Sequence, residues 1–319
     1  MRVLALDSSG IVASVAVVED DTLVAEYTVN YKKTHSQTLL PMLDEIVKMT
    51  ELDLKTIDAI AVAKGPGSFT GLRIGSATAK GLGLALDKPL VGIPTVEALA
   101  YNLYDVNGLI CPIMDARRKQ VYTGLYSFSH EVKDGTHLTE TAFHVEEQQM
   151  AIAVEELIGK LNAYKRPVVF LGDGVPVYRQ MLEEGLEVPY SFAPSYMNRQ
   201  RAAVVGALGI AYYYAGKYET AEAHKPDYLR VSQAERERAQ REKEAKTEVR
   251  EMTIEDGAVV AEIEHQSFSD AWSERAILET LEQNNSVCFV AEKSGKRVGY
   301  LLGYTAVDEV EIARIAVID

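Results

Sequence analysis

Two segments of this 319-residue chain begin in the same way, and this internal repeat limits the possible folds more than any other feature. The first segment contains the strand-like stretches RVLALDSS, VASVAVVED and TLVAEYTVN, separated by turn residues. The second segment, LICPIMDARRKQVYTGLYSF, repeats this pattern, and Asp115 ends its first strand as Asp7 does in the first segment. We therefore predict two related lobes, residues 1–100 and 101–230.

Helical periodicity follows the strands in both segments. Apolar and small residues recur at helical spacing over residues 35–49 and 71–86, and Pro89 follows the second of these stretches. In the second segment, helices near residues 146–164 and 199–214 flank the strand VVFLGDG. This alternation of strands and helices predicts an α/β fold for both lobes.

The composition excludes several classes of protein. A hydrophobic content of 47% is sufficient for globular cores, and a net charge of −14 argues against a free-standing nucleic-acid binder. Cys111 and Cys288 lie in separate strand-like runs, so their spacing implies neither a disulfide framework nor a metal site. We expect a cytoplasmic protein with no membrane-spanning segment.

A different unit follows the two lobes. Residues 231–248 alternate in charge sign and contain almost no large apolar side chain, which predicts a solvated helical linker. Residues 249–319 then combine a strand, two helical stretches and three further strands. We expect a separate domain of the α+β class.

The loop KGPGSFTGLRIG, residues 64–75, has the appearance of a phosphate-binding loop. Its glycines are not followed by the Lys-Ser/Thr pair of a Walker motif, so the phosphate signature is weak. Ser68 or Thr70 can instead accept a backbone N–H bond and cap the next helix.

That helix carries one side almost free of side chains, because Gly71, Gly75, Ala79 and Gly83 recur every four residues. Glycine within a helix costs about 1 kcal/mol relative to alanine, so close approach of another backbone is the expected reason. The approaching element can belong to this chain or to a partner. The helix over residues 35–49, with Leu39, Leu43 and Ile46 on one stripe, could complete a docking face.

A few polar residues are candidates for chemistry. Asp7, Ser8 and Ser9 are similar to the first phosphate loop of actin-like ATPases, although Ser8 replaces the expected glycine. Asp115 and Arg117, with Arg118, could face an anionic ligand or simply be exposed at a strand end. His35 has Leu39 four residues on, where a helical metal site would place a second histidine. The sequence therefore predicts at most a vestigial nucleotide site, without catalytic or metal-binding residues.

Over residues 1–230 the sequence resembles the TsaB family of proteins, which help to make threonylcarbamoyladenosine in tRNA. The resemblance rests on LALDSSGIVASVAVV, THSQTLLPMLDEI, AKGPGSFTGLRIGSATAKGLGLAL, IMDARRKQVYTGLY and PDYLR. It implies two actin-like (ASKHA) lobes and a non-catalytic subunit that pairs with a catalytic sister, TsaD, through the helices over residues 35–49 and 71–86. The implied interface consists of His35, Leu39, Leu43, Ile46, Gly71, Leu72, Gly75, Ala79 and Gly83.

The same resemblance implies further partners. TsaE is expected in the complex, tRNA is expected to contact the chain only through the complex, and a homodimer is possible without TsaD. The chain alone is expected to bind no cofactor, whereas ATP can bind at or near the complex.

Residues 249–319 resemble the first half of a GNAT acetyltransferase of the RimI kind, on the stretches FSDAWSERAI and EVEIARIAVID. Ala271 stands where proline is frequent in that family. The Gly-rich turn that holds acetyl-CoA would follow Asp319, so we expect an incomplete domain and acetyl-CoA binding only if the domain were complete. A fusion that also acetylates the N-terminus of a ribosomal protein is the alternative function, if the natural chain continues past this point.

Overall fold

The computed structural model describes residues 1–31, 34–132, 134, 139–229, 247–293, 295–306 and 308–318. The chain divides into an N-terminal unit, Met1–Arg230, and a C-terminal unit, Val231–Asp319. The charged linker predicted for residues 231–248 lies outside the described residues up to residue 246. None of the helices in the described part of the chain has the length and hydropathy that a bilayer crossing requires.

The first lobe contains a mixed sheet. Its described strands are β1 (Arg2–Asp7), β2 (Ala13–Glu19), β3 (Thr22–Val29), β4 (Ala59–Gly65) and β5 (Leu90–Pro94). The first three form the predicted antiparallel meander, and β4 and β5 continue the sheet in parallel from β1, in the order β3-β2-β1-β4-β5. The carboxyl ends of β1 and β4 therefore lie side by side.

Two helices cover one face of this sheet. Helix α1 (His35–Met49) has the predicted bounds, whereas α2 (Phe69–Leu86) begins two residues earlier than predicted. The Ser68 side chain accepts a bond from the Gly71 amide and so caps α2, as the sequence suggested. Apolar side chains of α1 pack with Leu4 and Leu6 of β1, and each such burial contributes about 1.5–3 kcal/mol.

The second lobe repeats the topology of the first. Its described strands are β6 (Leu109–Asp115), β7 (Gln120–Val132), β8 (Thr139–Ala153), β9 (Val168–Leu171) and β10 (Tyr190–Phe192). The sheet runs β8-β7-β6-β9-β10, with an antiparallel meander followed by two parallel strands. The order matches that of the first lobe strand for strand, so the repeat in the sequence is a repeat of topology.

The helices between and after these strands are α3 (Thr95–Tyr101), α4 (Val154–Tyr164), α5 (Val175–Gly185) and α6 (Ala202–Tyr214). The helix predicted for residues 146–164 is wrong in its first half, because residues 146–153 belong to β8. Met150 and Ile152 pair with Thr123 and Val121 of β7 and alternate with the exposed Ala151, as strand geometry requires. Helix α5 was not predicted.

Helix α6 lies within the range predicted for the second lobe but packs against the first sheet. Val205 and Leu208 are buried with Val3 and Ala5, on the face opposite α1 and α2. The amide of Ala202 donates to Ser14 Oγ (2.8 Å). The chain thus returns to the first lobe, and the predicted boundary between the lobes is corrected at this helix.

The C-terminal unit is an antiparallel sheet with two helices. Its described elements are β11 (Thr247–Glu251), α7 (Gly257–Ser267), α8 (Glu274–Leu281), β12 (Ser286–Lys293), β13 (Lys296–Ala306) and β14 (Glu309–Val317). The strand order is β11-β12-β13-β14, and Ile312, Ile315 and Val317 of β14 are exposed. Arg250 and Arg297 bind the buried Asp256 carboxylate, and the Arg250 bonds hold its pKa well below its usual range. This is the expected α+β arrangement.

Candidate functional site

Asp7 ends β1 inside the first lobe. Its carboxylate is 1% exposed, and its Oδ1 accepts bonds from the amide (2.8 Å) and hydroxyl (2.6 Å) of Ser9. Its Oδ2 has no hydrogen-bond partner among the described residues. Burial raises the pKa of Asp7 to about 6, although the Ser9 bonds and the nearby His35 act in the opposite direction.

The loop before α2 packs against the turn after Asp7. Ser8 Oγ donates to the carbonyl of Gly71 (2.8 Å), and the amide of Ser68 donates to the carbonyl of Ser9 (2.7 Å). A Cβ atom on Gly71 or Gly75 would stand less than 3.0 Å from an oxygen of Ser8. Gly71 therefore leaves room for the backbone of Ser8 and Gly75 for its side chain, and the Ser68 amide is already bonded within the protein.

The side of α2 that carries these glycines therefore faces the interior of the first lobe, and the expectation that it is an exposed docking face is wrong. The predicted residues Leu39, Leu43, Ile46, Gly71, Leu72, Gly75, Ala79 and Gly83 are all buried within the first lobe. Of the two alternatives for this helix side, packing within the chain is the one found. His35 is only partly buried, and its Nε2 lies 2.8 Å from the Gly10 carbonyl while Nδ1 has no partner in the described part of the chain.

A second row of small residues lies on the opposite side of α2. Ala77, Gly81 and Ala85 also recur every four residues and are exposed, and a Cβ on Gly81 would meet nothing within 4 Å. Leu84 beside them is 56% exposed, and Leu40 of α1 is 53% exposed. We call these five residues the outer face. Sequence reasoning missed it, although the same four-residue spacing could have revealed it.

Asp115 occupies in the second lobe the position that Asp7 occupies in the first. Its Oδ1 accepts bonds from the Tyr178 hydroxyl and the Arg117 amide (both 2.8 Å), and its own amide donates to Asp173 Oδ1 (3.2 Å). Burial, together with the Asp115 bond, raises the pKa of Tyr178 to about 12. Burial also raises the pKa of Asp173, and its bond from the Asp115 amide offsets part of that effect. The sequence indicated Asp115 and Arg117 as candidate residues but did not indicate Tyr178 or Asp173.

Three consecutive basic residues come shortly after Asp115, and we call Arg117, Arg118 and Lys119 the basic turn. Their φ angles are 65°, 57° and 57°, so all three have left-handed backbone conformations, which cost about 1–2 kcal/mol each for residues other than glycine. The amide of Gln120 donates to the Arg117 carbonyl (3.1 Å), and the amide of Val154 donates to the Lys119 carbonyl (3.1 Å). The sequence indicated Arg117 and Arg118 but not this backbone.

The described residues contain no group of three or more His, Cys, Asp or Glu side chains that could hold a metal ion. A cavity of about 220 Å³ lies beside the carboxyl end of β9, and its lining includes Arg179, Phe192 and Arg199. The Arg179 guanidinium stacks on Phe192, and Arg199 donates to the carbonyls of Gly172 and Asn198. Both charged groups are therefore engaged within the protein.

Comparison with known proteins places the chain in a family. Residues 22–238 match the family model described as TsaD: tRNA N6-adenosine threonylcarbamoyltransferase. The chain is 35% identical over 237 residues to the tRNA threonylcarbamoyladenosine biosynthesis protein TsaB of Bacillus subtilis, which covers 74% of this chain and 96% of that protein. The Escherichia coli protein of the same name is 37% identical over 128 residues, which cover 40% of this chain and 55% of that protein.

A solved structure is also similar. It is described as an uncharacterized protein with similarity to peptidase YEAZ from Pseudomonas aeruginosa, and it aligns with a TM-score of 0.59 at 25% identity. The alignment covers 72% of this chain and 99% of that one. The sequence identity and the coverage together show that the chain belongs to the TsaB family of tRNA threonylcarbamoyladenosine biosynthesis proteins.

Proposed function

We propose that this protein is a non-catalytic subunit that pairs with TsaD and thereby permits TsaD to transfer a threonylcarbamoyl group to adenosine in tRNA. Membership of the TsaB family supports the pathway. The outer face of α1 and α2 is the observation that carries the pairing, because it presents apolar and small side chains to solvent on two adjacent helices.

The chemistry of the outer face suits a helical partner. Ala77, Gly81 and Ala85 leave the backbone of α2 accessible, so a partner helix can approach closely and gain dispersion contacts. Leu40 and Leu84 supply apolar area at about 25 cal/mol per Å² removed from water. A stable heterodimer needs about 800 Å² from each partner, which two helices side by side can supply. Without TsaD the same surface would favour a homodimer.

The surroundings of Asp7 and His35 in the first lobe support an accessory role. Asp7 is buried beneath the loop before α2, and its Ser8 neighbour is bonded to Gly71 rather than left free for a ligand. His35 lacks a second histidine at the helical spacing that a metal site requires, since Leu39 is there and is buried. We therefore propose that catalysis belongs to TsaD, that ATP binds at or near the complex, that TsaE joins it, and that all act in the cytoplasm.

The pairing is tested by a single substitution on the outer face. Leu84→Asp places a charge in the proposed interface, and we expect the affinity for TsaD to fall at least 100-fold while the melting temperature stays within about 2 °C. Val177→Asp is the matched control, because Val177 of α5 is an exposed helical aliphatic residue in the other lobe. Co-purification and calorimetry measure the loss. Wild-type affinity in Leu84→Asp would exclude this face as the docking site.

The accessory role is tested by reconstitution. We expect the purified chain alone neither to hydrolyse ATP appreciably nor to modify tRNA, and we expect modification when TsaD and threonylcarbamoyl-adenylate are added. The readout is threonylcarbamoyladenosine in tRNA, with TsaD alone as the control. ATP turnover by the isolated chain that Asp7→Ala abolishes would contradict a non-catalytic role.

We propose a second function only for the C-terminal unit, as part of an acetyltransferase. The sheet β11-β12-β13-β14 with α7 and α8 has the element order of the stretch that resembles a GNAT domain, and this favours the assignment. For residues 1–319 we expect no acetyl-CoA binding by calorimetry. Micromolar binding would show that these residues suffice for a cofactor site.

A further inference from the structure

The basic turn takes no part in the pairing with TsaD proposed above. All three of its residues are exposed, and the Arg117 side chain is 87% exposed. Arg117 lies 3.5 Å from the Asp115 carboxylate, whereas Arg118 and Lys119 form no ion pair with any described residue. In a chain with a net charge of −14, three adjacent exposed cations are a local exception.

Hydrogen bonds to neighbouring residues constrain the backbone of the basic turn. The amide of Ala116 donates to the Gln120 carbonyl (3.0 Å), and the Lys119 carbonyl accepts a bond from the first residue of α4. Asp115 accepts the Arg117 amide and is itself fixed by the Tyr178 hydroxyl. The side chains therefore project from a constrained backbone, and less conformational freedom is lost when they bind a ligand.

Two amides of the basic turn are bonded within the protein, and this limits the kind of ligand that the turn can bind. An enclosed phosphate site uses free backbone N–H groups, but here the amides of Arg117 and Gln120 are bonded to Asp115 Oδ1 and to the Arg117 carbonyl. The groups that remain for a ligand are a row of exposed cationic side chains, together with the Arg118 and Lys119 amides, which have no hydrogen-bond partner among the described residues. Such a row suits phosphates spaced along a nucleic-acid backbone, which arginine and lysine neutralise one by one.

We propose that the basic turn binds the phosphate backbone of the tRNA substrate while the protein is paired with TsaD. The inference rests on the proposed function, because that function brings tRNA to the complex. The net charge of the chain opposes RNA contact over the surface as a whole, so contact concentrates where cations are grouped.

The test measures binding of unmodified, fluorescently labelled tRNA to the purified complex with TsaD at several salt concentrations. For Arg118→Glu with Lys119→Glu we expect at least tenfold weaker binding at low salt. The slope of log K against log salt should become shallower by about 1.5, since each lost phosphate contact removes about 0.7–0.9. Arg118→Gln with Lys119→Gln should give a smaller change in the same direction, and it replaces the first variant if that one fails to fold.

Lys165→Glu with Lys55→Glu is the matched control, and Lys55 is an exposed lysine in the connection between α1 and β4. Lys165 is also an exposed lysine with a left-handed backbone, at the opposite end of α4, and the control changes the net charge by the same amount. We expect its tRNA affinity and salt slope to equal those of the wild type. An equal loss in the control would mean that only the overall charge matters and would overturn the proposal.

The two proposals fail in different measurements. If the wild-type chain does not co-purify with TsaD or support tRNA modification, the proposed function fails. If the complex forms and the variant at the basic turn binds tRNA with wild-type affinity and salt slope, the RNA contact is wrong and the proposed function stands. Loss of fluorescent ATP binding with unchanged tRNA binding would assign the turn to a nucleotide and would also overturn the RNA contact.

Discussion

Both lobes have the same kind of junction between the end of the first strand and a later helix, but the turn after the strand differs between them. In each lobe the first strand ends in an aspartate, and a loop before a helix places glycines against that strand end. In the first lobe Gly67 before α2 lies against the carbonyl of Ser9, just after Asp7, and in the second Gly172 and Gly174 before α5 lie against the carbonyl of Ile113. The shared part is thus a glycine loop that lets a helix meet the end of the neighbouring strand.

The difference lies in the turn that comes after the aspartate. After Asp7, the turn from Ser8 to Gly10 is bonded to the loop before α2 and to His35, and the carboxylate is buried. After Asp115, the chain forms the exposed basic turn with three left-handed residues. The comparison indicates that the first junction is a packing element, whereas the second holds charges in solvent at a cost in backbone strain.

Substitution of Gly75 should give the largest effect on this comparison. Gly75→Leu places a side chain against Ser8 Oγ, where even a Cβ is closer than 3.0 Å, so we expect unfolding or a loss of at least about 3 kcal/mol. Urea unfolding followed by circular dichroism measures it. Gly81→Ala on the outer face is the control and should raise stability by about 0.5–1 kcal/mol.

A folded Gly75→Leu protein that no longer binds TsaD would contradict this expectation. It would return the docking role to the side of α2 that the sequence pattern favours. The same result would make the first junction a partner site rather than a packing element.

The two aspartates should respond in opposite directions to loss of charge. The pKa of Asp7 in the folded protein is about 6, above its ordinary value of 3.8, so the folded state binds more protons than the unfolded state between these values. The contribution of Asp7 to stability is therefore present at low pH and lost as pH rises through 6. When the pH is raised from 4 to 7.5, the free energy of unfolding of Asp7→Asn should therefore increase by about 2–3 kcal/mol relative to that of the wild type.

Asp115→Asn should instead lower stability by about 1 kcal/mol near neutral pH, because charge-assisted bonds from the Tyr178 hydroxyl and the Arg117 amide are weakened. Urea titrations at both pH values measure the two variants side by side. If Asp7→Asn shows no dependence on pH, the carboxylate is less isolated than its environment in the first lobe implies.

The smallest expected effect concerns the strain in the basic turn. Arg118→Gly should raise stability by about 0.5–1 kcal/mol, since glycine adopts the left-handed conformation without steric cost. Ser8→Gly in the first lobe has no such strain to relieve and should lower stability, because Ser8 Oγ is bonded to Gly71. Thermal unfolding compares them, and destabilisation by Arg118→Gly would mean that its side chain supports the fold.

Local patterns in the sequence predict the elements that depend on local chemistry. The meander of β1, β2 and β3, the bounds of α1 and the cap at Ser68 all follow from turn residues, periodicity and side-chain hydrogen bonding. The repeat of Asp7 at Asp115 also indicates the duplicated topology. The helix predicted over residues 146–153 is wrong because their pairing with β7 is a contact distant in sequence, which local periodicity does not contain.

The candidate site is predicted less well, for a physical reason. Helix α2 has two rows of small residues at the same spacing, and nothing in the spacing says which row meets the sheet. The sequence draws attention to the buried row because that row contains more glycine. The left-handed backbone of Arg117, Arg118 and Lys119 could not be foreseen either, since none is a residue type that favours it.

Because α6 packs on the first sheet, the first lobe cannot be completed during synthesis until α6 has been made. Strand β5 ends at Pro94 and α6 begins at Ala202, so about 110 residues separate the sheet from its last covering helix. A ribosome adding roughly 5–20 residues per second needs roughly 5–20 s to make them. Until then Val3, Ala5 and Ala61 lack the α6 side chains that cover them in the folded protein, and we expect the nascent first lobe to expose this apolar sheet face.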